Sequence, residues 1–196
     1  MTTTRTTYRL PFNDKEQAAK AINAACRLHI GKEPCDTPDY RQHVWAVAEW
    51  MVNQPEKWLF LGGMVGTGKT TFVKAISTLI DTAKFTTNLG SLIRVKRILA
   101  RDIDKMDDNA VEEMKSTPIL AIDDFGLERQ QDLQYGNIRE TSTEIIEHRY
   151  DKGRLTLFTS NFPISKIESR YGKRIFDRMA EMCIFITFTN KSYRNG

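Results

Sequence analysis

Residues 58–72 read WLFLGGMVGTGKTTF. The stretch moves from apolar residues through spaced glycines to one lysine and two threonines, Thr70 and Thr71. Gly63, Met64, Val65, Gly66, Thr67, Gly68, Lys69 and Thr70 fit G-x-x-x-x-G-K-[ST], the pattern of a loop that wraps phosphates. Glycines let the backbone turn with positive φ and bring N–H groups close to phosphate oxygens. A helix starting at the lysine would point its positive end at the same oxygens. Lys69 would reach the β- and γ-phosphates, and the Thr70 hydroxyl is a ligand for Mg²⁺. The bland alternative is a glycine-rich structural turn.

A second group lies 54 residues after Lys69, where ILAIDD ends an apolar run in Asp123 and Asp124. Acids at the carboxyl end of a buried strand stand where open α/β sheets bind ligands. Asp123 is suited to holding Mg²⁺ and Asp124 to polarising an attacking water as general base. Further on, Asn161 closes the apolar run LTLFTSN and could orient that water, or only serve the turn before Pro163. Arg174 and Arg178 are four residues apart and would share a helix face. One of them could stabilise charge on a transferring phosphoryl group, or both could pair with Asp177 and Glu181 on a surface helix.

These residues need elements to hold them. Asn13 with Glu16 has the spacing of a capping box, so a helix is expected to about Ile30, ended by Gly31. Thr37-Pro38-Asp39 opens a second helix, to about Asn53. Apolar strands are expected at Trp58–Leu61, Pro118–Ile122, Leu155–Thr159 and Cys183–Phe188, with a weaker one at Lys84–Thr87. Helices are expected at Lys69–Ile80, Ser91–Arg101 and Gly136–Tyr150 and in the basic stretch before the last strand, with the charged stretch 102–115 on the surface. Continuous apolar strands alternating with helices predict an α/β fold with a parallel sheet covered on both faces.

The 196 residues suit one domain. No apolar run is long enough to span a membrane, and the first residues, MTTTRTTYRLPF, lack the apolar core of a secretory signal. Cys26, Cys35 and Cys183 are odd in number and widely spaced, which argues against a disulfide framework or zinc site and fits the cytoplasm. The net charge of +4 is concentrated: from Ile164 onward there are seven Lys/Arg against three acids, while the rest of the chain balances at 22 of each. Such a patch favours phosphate-bearing partners, as would Arg94, Lys96, Arg97 and Arg101 on their expected helix, although a solvated helix face would look the same.

Taken together, GGMVGTGKTT, ILAIDDFG, FTSN, GKRIFDRM and the terminal TNKSYR resemble the AAA+ ATPases, and more narrowly the DnaC/DnaI-type replicative helicase loaders and their IstB-type transposition relatives. The resemblance covers roughly Trp45 to Arg194. It implies a P-loop NTPase (AAA+) three-layer fold with a five-stranded parallel sheet preceded by N-terminal helices, and ATP with Mg²⁺ at a subunit boundary. Residues 1–36 would form a helical extension, a candidate docking arm, and 37–196 the ATPase domain.

By the same resemblance Lys69 and Thr70 take the Walker A roles, Asp123 and Asp124 the Walker B roles and Asn161 that of sensor I. Arg178 would be the finger given to a neighbouring subunit, Arg174 its companion and Arg194 a sensor-II-like arginine. The implied partners are DNA (single-stranded first), a replicative helicase or a transposase, and further copies of the chain. Two features depart from the pattern. Asp124 stands where many relatives carry the longer glutamate, which implies slow hydrolysis, and only about 57 residues precede the first strand, which implies a short docking region. Two other readings use the same loop: a small-molecule kinase, indifferent to DNA, and a nucleotide-gated adaptor that scarcely hydrolyses.

Overall fold

A computed structural model describes residues 8–87, 89–127 and 137–193. Its strands are β1 (Trp58–Gly63), β2 (Val95–Leu99), β3 (Ile119–Asp123), β4 (Leu155–Ser160) and β5 (Cys183–Phe188). They lie in the order β2-β3-β4-β1-β5, every neighbouring pair parallel. Helices α1 (Lys15–Ile30) and α2 (Pro38–Asn53) come first, and α3 (Lys69–Thr82) crosses from β1 to β2. Then α4 (Asp108–Ser116) precedes β3, α5 (Asn137–Asp151) precedes β4, and α6 (Ile164–Tyr171) and α7 (Lys173–Met182) precede β5. This is the expected three-layer α/β fold: a five-stranded parallel sheet with helices before it and helices packed against it.

The central strands show why. Leu59, Leu61, Leu120, Ala121, Leu157 and Phe158 have no exposed surface, so both faces of the sheet are covered. Each large apolar side chain buried this way contributes about 1.5–3 kcal/mol. On one side α1 packs on α2 and α3; on the other α5 packs on α4 and α7. The α1 residues Ala18, Ile22 and Cys26 are buried and join the main core.

Several local expectations shift. The first helix is capped by Asp14, whose Oδ1 accepts the Gln17 N–H at 2.8 Å, while Gln17 Oε1 accepts the Asn13 N–H at 3.1 Å. The acceptor spacing read at Asn13 and Glu16 recurs one residue later, and that register is the one used. Lys84–Thr87 is not a strand. Lys84 has φ 52°, and among the described residues the pairing nearby is a single antiparallel bridge between Thr86 and Leu92.

Ser91–Arg101 is not a helix either: it contains β2, followed by a 3₁₀ turn over Ala100–Lys105. Leu92, Val95, Ile98 and Leu99 recur at helical spacing, but β2 is one of the sheet's two edge strands and among the described residues pairs with β3 alone, so it shows no clean alternation. Lys96 and Arg97 are exposed on that edge, and positive side chains there discourage pairing with other strands. The charged stretch after β2 is not all surface, since Ile103, Val111 and Met114 are buried.

A buried arginine fastens α5 to the sheet. Arg149 has no exposed surface. Its Nε donates to Thr156 Oγ1 (2.9 Å), Nη1 to the carbonyls of Met114 and Thr117 (2.8 and 2.7 Å) and Nη2 to that of Leu155 (2.6 Å). Burial pushes the guanidinium down to about 9, so it is charged at neutral pH and satisfied by neutral acceptors. Arg149→Met leaves these acceptors unpaired in the interior. It is expected to cost at least about 1–3 kcal/mol, the penalty for one buried acceptor left unsatisfied, read from denaturant unfolding. Arg149→Lys, which lacks the planar fork, should not restore the stability.

Candidate functional site

Everything the sequence singled out for nucleotide chemistry, apart from the two arginines of α7 and Arg194, stands at the carboxyl ends of β1, β3 and β4. In the sheet β4 lies between the other two, so Asn161 is interposed between the glycine loop and the acid pair.

The loop leaves β1 at Gly63 with φ 142°, followed by Gly66 at φ 83° and Gly68 at φ 101°, backbone that only glycine adopts cheaply. A Cβ on Gly63 would sit 2.3 Å from the Phe188 carbonyl oxygen, so this glycine is also demanded by the close approach of β5. Helix α3 starts with Gly68 as its N-cap and no side-chain cap, which leaves its first N–H groups and its positive end open to an anion. Thr67 is buried, and its Oγ1 donates to the Met64 carbonyl at 2.8 Å. Met64 and Val65 are exposed at the loop's tip, and Thr71 is half-buried in the first turn of α3.

Lys69 is 4% exposed, and its Nζ donates to the carbonyls of Gly63 (2.8 Å) and Met64 (2.7 Å). The cation is thus folded over the loop it would otherwise extend from. The Thr70 Oγ1 donates to Asp123 Oδ1 at 3.0 Å. That separation matches two adjacent ligands around an octahedral Mg²⁺ with bonds of about 2.0–2.1 Å. Among the described residues no three His, Cys, Asp or Glu side chains form a metal cage of their own. A Mg²⁺ held here would complete its shell with phosphate oxygens and water, as this hard cation usually does. The glycine loop, the uncapped helix start, the single cation and the hydroxyl–carboxylate pair fit a magnesium–nucleoside triphosphate. Thr70 and Asp123 also border a cavity of about 220 Å³ walled by Lys74 and Arg97.

Asp124 has φ 58°, a left-handed conformation that is rare for any residue but Gly, Asn or Asp. Asn161 Nδ2 donates to Asp124 Oδ1 at 3.1 Å, so the two side chains read separately in the sequence are in contact. Thr159 joins them: its Oγ1 hydrogen-bonds Asp123 Oδ1 and accepts the Asp124 N–H at 2.8 Å.

Arg174 and Arg178 lie elsewhere. Arg178 Nη2 is 3.4 Å from Asp151 Oδ1, its Nη1 is 3.6 Å from Glu147 Oε1, and its guanidinium lies 4.8 Å from the centre of the Tyr150 ring. Arg174 Nε takes the same Glu147 oxygen at 2.8 Å. Asp151 ends α5 just before β4, and Arg178 lies five residues before β5. Both therefore face the amino ends of the strands, away from the glycine loop at the carboxyl end of β1. The pairing partners expected from the sequence, Asp177 and Glu181, are replaced by acids of α5. Arg194 lies outside the described residues.

The sequence reading quoted TNKSYR after β5 for its resemblance but gave no role to Asn190 or Tyr193. The Tyr193 N–H donates to the Gly66 carbonyl at 2.9 Å, and Asn190 Nδ2 to that of Thr67 at 3.4 Å. Tyr193 thus ties the segment after β5 to the loop, through a backbone bond that no residue type announces.

Residues 59–193 match the ATPase family associated with various cellular activities (AAA). Among solved structures, the DnaC helicase loader aligns with a TM-score of 0.63 and 22% identity, over 79% of this chain and 92% of that one. DnaI aligns with a TM-score of 0.63 and 18% identity, over 87% and 92%. AMPPCP-bound DnaA from Aquifex aeolicus aligns at 0.60 and 16%, over 81% of this chain and 49% of that one. At these identities the likeness is one of fold. No curated protein matches the chain.

Proposed function

The chain belongs to the AAA family of ATPases, matched over residues 59–193, and from that premise we propose that it is an ATP-driven, Mg²⁺-dependent switch that assembles on DNA and recruits a DNA-processing partner in the cytosol. A replicative helicase is the first choice, because the DnaC loader and DnaI are among the structures it is similar to; a transposase is the alternative within the same class. The observation that carries the reading is the contact of Thr70 with Asp123 beside Asp124 and Asn161, at the mouth of a phosphate-shaped loop.

In this reading the loop amides and Lys69 bind the triphosphate, Thr70 and Asp123 hold Mg²⁺, and Asp124 accepts the proton of a water that Asn161 helps to orient. The bound metal supplies neutralisation of charge on the phosphates. Arg178, turned away from its own loop, serves the nucleotide of an adjacent copy, with Arg174 beside it. Arg194 would be a sensor-II-like arginine that contacts bound nucleotide. Lys96, Arg97 and their neighbours Arg94 and Arg101 offer phosphate contacts along the β2 edge, and residues 1–36 are the candidate arm for docking the partner. The shape of DnaA bound to AMPPCP and single-stranded DNA is likewise similar to this chain, at a TM-score of 0.59 and 17% identity, which supports single-stranded DNA as the first ligand to try.

The test is sedimentation of the chain with ATP, ADP or no nucleotide, with and without single-stranded DNA, alongside phosphate release. ATP should drive assembly, DNA should raise turnover several-fold, and the DNA effect should fall steeply between low and moderate salt. A monomer under all conditions whose turnover ignores DNA would overturn the switch. In that case phosphoryl transfer to a small acceptor would favour the kinase reading.

A further inference from the structure

Resting on the hydrolytic reading of Asp123 and Asp124, we propose that Thr159 is a positioning residue that sets both acids through one hydroxyl. The register of the sheet pairs Ile122 with Phe158, so the next residues, Asp123 and Thr159, stand side by side at the carboxyl ends of β3 and β4. Thr159 has no exposed surface, so it touches neither nucleotide nor water and acts only through its neighbours.

Its bonding is fully determined. The Asp124 N–H donates to Thr159 Oγ1 at 2.8 Å, so that oxygen is an acceptor there. A hydroxyl carries one proton, and this one is directed at Asp123 Oδ1. The Thr159 carbonyl then accepts the Phe125 N–H at 2.7 Å, so one residue fixes the backbone on both sides of the Asp124 peptide. Asp124 is held at φ 58°, a conformation that persists only when its surroundings impose it. In that conformation its carboxylate meets Asn161 Nδ2.

Thr70 also donates to Asp123 Oδ1, but Thr70 is the side chain assigned to the metal. Thr159 is the buried donor that keeps Asp123 oriented whatever Thr70 does. It therefore acts on the metal-holding acid through its proton and on the general base through its lone pair. Threonine suits the place, since a β-branched side chain is stiff about χ1 and favoured on a strand.

Partners that orient metal-ligating side chains typically change affinity or activity by about 10–100-fold when removed. Thr159→Val keeps the shape and β-branching and deletes the hydroxyl. In the full chain it is expected to lower kcat about 10–100-fold while the Kd for ATP, from titration with a fluorescent analogue, stays within about threefold. Thr159→Ser, which retains the donor and acceptor, should recover most of the turnover. If the valine chain is recovered unfolded, Thr159→Cys keeps the volume with a weak donor and carries the same expectation.

A purely structural threonine would move stability and affinity together and would not be rescued selectively in kcat. A hydroxyl-free variant with kcat within twofold of the parent overturns this inference alone. So does a serine variant as slow as the valine one. A parent chain that binds ATP and never turns it over overturns the hydrolytic reading beneath it.

Discussion

Lys69→Ala is expected to bind ATP at least about 100-fold more weakly than the parent chain, with little change in its unfolding midpoint. Each hydrogen bond from an ammonium to a phosphate oxygen contributes about 1.5–3 kcal/mol. Two such bonds, to the β- and γ-phosphates, amount to two or more factors of ten in affinity. The same lysine supports the fold of the loop only weakly. It is a desolvated cation, 4% exposed, that donates to the Gly63 and Met64 carbonyls and the Thr67 hydroxyl. Its removal gives up these bonds and also relieves the desolvation of a buried charge, and the two effects oppose each other. The glycines would be poorer tests. Gly63→Ala would force a Cβ to 2.3 Å from a backbone oxygen of Phe188 and disturb the β1–β5 contact itself. Titration calorimetry with Mg²⁺ present checks the lysine variant, and affinity within about threefold of the parent would remove the loop as a phosphate cradle.

What the sequence disclosed, and what it concealed, follows from how far apart the interacting residues lie. The phosphate loop is local. Three glycines, a lysine and a threonine within eight residues carry their own backbone requirements, and β1 and α3 form around them within a residue or two of their expected limits. The central strands are equally legible, because burial on both faces demands an unbroken apolar run.

Edge strand β2 was read as helix because it has one neighbour and exposes Lys96 and Arg97, so neither period dominates its pattern. Arg149 sits in EHRYD, which looks like the solvated end of a helix. Its acceptors on α4, β3's leading loop and β4 are up to 35 residues away, and no spacing announces them. Thr159 was visible as part of a strand and of FTSN but without a role of its own, since its partners come from a strand 36 residues earlier. The acids were legible as acids, but the hydroxyl that orients them needed the register of β3 against β4. The two arginines were correctly placed on one helix, while their acidic partners Glu147 and Asp151 come from another helix and only the packing of α5 on α7 supplies them.

That packing decides how the subunit-boundary reading is tested. Arg178→Ala should bind ATP as the parent does and lose about 10³–10⁵ in turnover, the contribution of a finger supplied by a neighbour. The folded chain should tolerate the change. The ion pairs lost are long, at 3.4 and 3.6 Å, the side chain is 16% exposed, and its Nη1 makes no hydrogen bond. A guanidinium so loosely satisfied, sharing Glu147 with Arg174, gains by meeting a phosphate. Asp124→Asn should be equally inactive for a different reason, because it lacks the base and keeps the finger. Neither variant hydrolyses ATP alone, yet an assembly mixed from both contains interfaces in which an intact Asp124 faces an intact Arg178. In a head-to-tail assembly mixed equally and at random, that is about a quarter of the interfaces, so phosphate release should return to as much as about a quarter of the parent rate. A finger acting on its own subunit's nucleotide predicts no recovery at any mixing ratio. If the alanine variant assembles poorly, Arg178→Lys retains the charge without the bidentate fork. It should assemble, stay slow, and recover in the same way when mixed with Asp124→Asn.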